Sequence, residues 1–224
     1  MSGLKEHYVD FGVSKSQVTP DEIDRYERMN TGILSISTTW FGTTAAGTST
    51  QAKPLVLINA IADHPRNALY QVAGSSDMGG TWVINGYDQF GGYQTETVAI
   101  GTAANGGSVA GTVIWGSMTS GTFTFTTGDV GSGTPKLGVA VGTAGTTAFK
   151  LGLLTKIAST LDVKAITWIK ENVVTTLGGG TIGAYVDATN HAFTGSAIMA
   201  GTESYTVLLK STFDNASKPK MAGL

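Results

Sequence analysis

The stretch that decides the fold is Thr81–Ile100, TWVINGYDQFGGYQTETVAI. Two runs rich in Thr, Val and Ile flank a joint at Gly91 and Gly92. β-branched and aromatic runs separated by glycine read as two strands of a hairpin. The segment between them, GYDQFGG, raises the question of whether it holds a metal, a sugar or a reaction, or only turns a strand around. On residue chemistry alone it reads as a turn serving a sheet.

The same grammar extends outward from the hairpin. ILSISTTW (Ile33–Trp40) alternates with a period of two, and PLVLINAIA from Pro54 and ALYQVAGSS from Ala68 are short apolar runs. After the hairpin come SVAGTVIWGS, TFTFTT, KLGVAVGT, AFKLGLLTKIA, VKAITWIKENVVTT, TIGAYVD and SYTVLLKST. Strands at roughly ten-residue spacing, divided by Gly, Asn or Asp, predict an all-β body of the β-sandwich type, jelly-roll or Ig-like, and not βαβ units. FGTTAAGTSTQAK (Phe41–Lys53) is expected to be a loop and DHPRN (Asp63–Asn67) a turn. The tail NASKPKMAGL has no apolar anchor and is expected to fray or lie on a neighbour.

The first thirty residues differ, because they carry ten of the thirty charged side chains. TPDEIDRYERMN predicts a short helix. Thr19 can cap it, Pro20 suits the first helical position, and Glu22 completes a capping box. Ile23, Tyr26 and Met29 form its apolar stripe, and a helix of about ten residues must dock on something to persist. Met1–Val18 has no pattern and reads as an extended arm. The expected organisation is therefore an arm with one short helix over residues 1–31 and a sandwich body over 32–224, with a possible division into two parts near 75–80.

Composition bounds the function. With 224 residues the chain can bury roughly 70% of its unfolded surface. Only 13% of its residues are charged, against about 25% in ordinary soluble domains. Glycine reaches 31 and the net charge is −2, so no electrostatic case exists for nucleic acid or an anionic membrane as partner. A surface poor in Lys and Glu resembles the parts of proteins that other proteins cover. With no cysteine, a disulfide scaffold and a thiolate zinc site are excluded. No apolar run has membrane-spanning length, and the first residues lack the apolar core of a signal peptide, so synthesis in a cytoplasm is expected.

Each residue cluster that could carry chemistry also has a plainer structural reading. Asp77, Asp88 and Asp129 sit beside glycine-rich joints, but no D-x-D-x-D-G run exists, so turn hydrogen bonding is preferred to calcium. His7, His64 and His191 lie far apart in sequence, and no G-x-S-x-G elbow is present, so no catalytic residue is assigned. LGGGTIG and GSGTP lack the following helix of a phosphate loop. Trp40, Trp82, Trp115 and Trp168, with Tyr87 and Tyr93, could stack on sugar rings; strand tryptophans are more often core. No metal or cofactor is expected.

The segment INGYDQFGGYQTETVAI follows the pattern G-x-D-x-x-G-x-x-x-x-E-T. It is followed by VAGTVIWGSMTSGTFTF, FKLGLLTKIASTLDVKAITWI and GTESYTVLL. Over Trp82–Leu209 this order resembles a β-rich virion structural protein of tailed bacteriophages, of the capsid decoration or cement type. The family pattern often places Pro after L-G-L, where this chain has Leu154. The resemblance implies no catalytic residues. It implies a non-enzymatic protein on the capsid surface of the virion that binds the major capsid protein and copies of itself, a homotrimer being favoured. Arm residues Tyr8, Phe11, Val13, Ile23, Tyr26 and Met29 are the expected partner-binding anchors, and Thr/Gly-rich edges could pair by strand addition. The alternatives are a jelly-roll major capsid protein and a tail or fibre protein binding host glycans.

Overall fold

The computed structural model describes residues 22–29, 37–74, 78–103, 107–126, 133–139, 150–170, 173–194 and 204–212. The expected all-β architecture is present. The strands are β1 (Glu22–Met29), β2 (Ser37–Thr44), β3 (Ala52–Leu57), β4 (Ile61–Gly74), β5 (Met78–Asp88), β6 (Tyr93–Ala103) and β7 (Ser108–Phe125). They continue with β8 (Gly133–Val139), β9 (Leu151–Gly152), β10 (Val163–Lys170), β11 (Val173–Gly178), β12 (Val186–Asp187), β13 (Ala192–Phe193) and β14 (Ser204–Thr212). Two 3-10 turns, Thr160–Asp162 and Gly179–Tyr185, complete the described elements.

The hairpin read from the sequence is β5–β6. Its register sets Trp82 opposite Val98, Ile84 opposite Glu96 and Tyr87 opposite Tyr93. Alternation does the sorting: Glu96, Val98 and Ile100 are buried, whereas Thr95, Thr97 and Ala99 face outward. β7 lies on the other side of β5, with Trp82 opposite Phe123. The rest of β7 does something the local pattern does not announce. Its Thr122–Thr124 segment pairs with β3, and its Ser108–Ser117 half pairs with β4. Because β4 also pairs with β8, β8 with β2, and β2 with β3, the larger sheet closes into a five-strand antiparallel ring, β4-β8-β2-β3-β7. A closed ring places opposing walls across one core, as the layers of a sandwich do. That core holds Phe41, Tyr70, Trp82, Trp115, Met118 and Phe123.

A second core lies where the small sheet, ordered β1-β14-β10-β11, meets the β9–β13–β12 end of the larger one. Leu151, Leu153 and Phe193 pack there with Ile166, Tyr205 and Val207.

Three sequence expectations are corrected. Glu22–Met29 is not helical: it forms β1, paired antiparallel to β14 from Glu22↔Thr212 to Met29↔Tyr205. A lone ten-residue helix has little intrinsic stability, and the edge of β14 gives the backbone groups of this segment a full ladder. Asp63–Asn67 is not a turn; β4 runs through it, with a register shift between Ile61 and Arg66. Its polar side chains find partners in place: Arg66 donates to Asp63, and Asn67 donates to the Gly111 carbonyl and accepts from the Lys150 amide. Phe41–Lys53 is not wholly a loop, because β2 continues to Thr44 and Phe41 is fully buried. β4 and β5, which flank the division considered near 75–80, belong to the same sheet.

Candidate binding site

The GYDQFGG joint is organised by Asp88. Its Oδ1 accepts from the backbone amides of Phe90 and Gly92, both at 2.8 Å. The Asp88 amide donates to the Gly92 carbonyl, and the Gly91 amide donates back to the Asp88 carbonyl. Gly91 has φ +79, the left-handed region where a Cβ is costly. The D-x-x-G spacing is thus a side-chain-stapled turn, and Asp88 holds backbone amides.

This turn does more than reverse the strand, since it docks on the loop Asp187–His191. Gln89 Nε2 donates to the carbonyls of Asn190 and His191, at 3.0 and 3.3 Å. Phe90 meets the His191 ring edge-on at 5.3 Å, and the Lys156 ammonium lies 5.0 Å from the Phe90 centroid. His191 itself is fixed from several sides. It has φ +49, uncommon for a residue other than glycine. Its carbonyl accepts from the Leu153 amide, and its Nδ1 accepts from the Ile157 amide, so the neutral ring carries its proton on Nε2. Asp187 ties the loop together, accepting from the Asn190 amide, the Asn190 side chain and Lys150. Burial opposes its ionisation, yet these hydrogen bonds and the Lys150 charge outweigh burial and hold its carboxyl below the usual range.

Between the turn and the loop lies a half-open cleft of about 300 Å³, lined by Asp88, Gln89, Phe90, Gln94, Lys156 and Asn190 among others. Its walls hold side-chain amides, the Lys156 ammonium, the Asp88 carboxylate and the Phe90 and His191 rings. Among the described residues no group of three His, Cys, Asp or Glu side chains could hold a metal ion.

A second surface is apolar. From β3 into β4, Val56, Ile58 and Ile61 are 63%, 62% and 70% exposed. Isolated exposed aliphatics are ordinary; three within the six residues 56–61 concentrate exposed aliphatic surface in one stretch of chain.

Of the arm residues named from sequence, Tyr8, Phe11 and Val13 lie outside the described residues. Ile23, Tyr26 and Met29 lie on β1, opposite Ser211, Leu208 and Tyr205 of β14. Asp77, Asp129 and His7 are also outside the described residues. His64 and His191, distant in sequence, are brought to opposite partners of β9: His64 Nε2 donates to the Gly152 carbonyl, and the His191 carbonyl accepts from Leu153. Burial pushes the His64 pKa down. Trp82 and Trp115 are core, while Tyr87 and Tyr93 are exposed and pack edge-to-face at 5.7 Å. Sequence reading missed the cleft because its two walls are about a hundred residues apart; the one local signal was a histidine in a polar TNH loop. No family model, curated protein or solved structure matches the chain.

Proposed function

We propose that this chain is a capsid decoration protein of a tailed phage, acting by binding and not by turnover. Its partners would be the major capsid protein and further copies of itself, a trimer being the favoured assembly. The observation that carries the reading is the exposure of Val56, Ile58 and Ile61 on a chain of which only 13% is charged. Covering these side chains removes aliphatic surface from water, and few charges need to be desolvated when the faces meet. Symmetry then multiplies modest single contacts into tight attachment. The contact should also be insensitive to salt, since exposed ion pairs contribute little to it.

The test is co-sedimentation of the purified chain with capsids that lack it. Wild-type protein should bind at both 0.05 and 0.5 M salt, to within about threefold. The triple variant Val56→Asp, Ile58→Asp, Ile61→Asp should fold and lose at least about tenfold in affinity. Equal binding by a folded triple variant would overturn the assignment of this face, and no binding by wild-type protein would overturn the function.

A second reading has its own observation. The amide-rich cleft beside Phe90 offers what a sugar ring needs, which favours a glycan-binding tail or fibre protein. Glycan-array binding that is abolished by Gln94→Ala and Asn190→Ala would support it over the first.

A further inference from the structure

β6 ends the larger sheet. Among the described residues it pairs only with β5, so the outer edge of its eleven residues is open. Natural sheets guard such edges with Lys, Pro, short strands or inward charges, because an open row of backbone amides and carbonyls will pair with another strand. The edges of this molecule are not treated alike. β1 carries five charged side chains in eight residues, β12 is two residues long, and β11, which has no charged side chain, is only six residues long. β6, sequence YQTETVAIGTA, has no Lys, Arg or Pro. Its one charge, Glu96, points inward and is occupied by Tyr70, Thr112 and Val113. The outward row Tyr93, Thr95, Thr97, Ala99 and Gly101 is neutral.

We propose that β6 pairs antiparallel with β6 of a second copy of this chain across a two-fold axis at Thr97. An isologous strand pair makes each residue face a defined partner, and the residue on the axis face itself. A charge there would meet its own like; threonine meets threonine, a favourable cross-strand pair. The register then sets Thr95 against Ala99 and Tyr93 against Gly101. That last match is complementary in shape. Tyr93 is 62% exposed, and Gly101 has nothing within 4 Å of where a Cβ would stand, so the ring of one copy covers the bare backbone of the other. Tyr87, packed on Tyr93, backs that ring. The same backbone pairing on both copies continues the larger sheet through the axis. This contact stands apart from the capsid-binding face on β3, and a trimer closed through other surfaces would be joined in pairs by it.

The test uses the full chain, which contains no cysteine and so accepts a single reporter thiol. Sedimentation equilibrium over a hundredfold concentration range should give a reversible two-fold association. Thr97→Lys should weaken it by at least about tenfold, because like charges meet on the axis. Thr97→Cys should be joined to itself by a short thiol cross-linker, whereas Thr122→Cys on β7 should not. A wild-type chain that stays monomeric throughout, association unaltered by a folded Thr97→Lys, or equal cross-linking of the two cysteine variants would each overturn the proposal. Should Thr97→Lys fail to fold, the cysteine pair decides alone. Loss of capsid binding in the aspartate triple variant with association intact separates this contact from the proposed function.

Discussion

Glu96 is the residue whose chemistry most depends on the fold. β5 accompanies β7 only as far as Trp115, which leaves the amides of Thr112 and Val113 without a strand partner on that side. Glu96 Oε1 accepts from both, and from the Thr112 hydroxyl, while Oε2 accepts from the Tyr70 hydroxyl at 2.6 Å. A side-chain carboxylate thus substitutes for a missing stretch of strand. Glu96→Ala would leave the buried Tyr70 hydroxyl and the part-buried amides of Thr112 and Val113 without their acceptor, and should cost about 2–4 kcal/mol in urea unfolding. The sequence did hold a clue, since Glu96 is in phase with Val98 and Ile100. Alternation places it inward, but cannot say which donors it meets there. Burial, and then the adjacent Glu96, push the Tyr70 pKa well above its ordinary 10.0. Above that pH the unfolded chain releases a proton that the folded chain keeps, so stability should fall as pH rises past 10, and Tyr70→Phe should flatten this limb. On the acid side His64 behaves in the opposite sense. Its pKa is lowered from 6.5 by burial, so the unfolded chain gains a proton first, and stability should fall as pH drops below 6.5. Chemical denaturation across pH of wild-type and His64→Gln proteins checks this, with a shallower acid slope expected in the variant.

Among the elements, close approach decides which glycines matter. At Gly138 on β8 an added Cβ would stand 2.0 Å from the Ser37 carbonyl oxygen on β2, and at Gly86 on β5 it would stand 2.2 Å from that of Ser117 on β7. Both neighbours are backbone, so neither can swing away. Gly138→Ala should open the β2–β8 pairing that closes the ring, costing about 2 kcal/mol or more and lowering Tm by roughly 4–8 °C. Gly183→Ala, with its nearest neighbour at 3.7 Å, should stay within about 0.5 kcal/mol of wild type. Calorimetry of the two variants distinguishes steric need from general intolerance of substitution. The β5–β6 hairpin was legible because both its strands and its turn obey local rules. β1 was not, because its sequence satisfies helix capping rules, and only the edge of β14 makes strand the better outcome for its backbone.

In the whole molecule, closure of the ring through β4 and β7 is the pairing on which both walls of the larger core depend. Trp115 sits at that junction, opposite Arg66 of β4 on one side and Asp88 of β5 on the other, and it is fully buried. Trp115→Ala should cost about 3–5 kcal/mol, the usual range for emptying an aromatic site. Native-state hydrogen exchange should find the slowest amides on β4, β5 and β7, and faster exchange along the open edge of β6, unless a second copy covers it. High protein concentration should therefore slow exchange on β6 selectively, an outcome that ties the stability of this edge to association.

What the sequence determined by itself was the class of structure, the central hairpin and the neutral character of the surface. Each follows from rules acting over a few residues: β-branched alternation, a D-x-x-G turn, and a count of charges. The ring closure, the conversion of Glu22–Met29 to strand, the inward acceptor role of Glu96 and the cleft between the Asp88 turn and the His191 loop were decided only in three dimensions. Each joins segments far apart in the chain, where the energy of a contact depends on which backbone groups and side chains the fold has already brought within reach, and no local pattern encodes that.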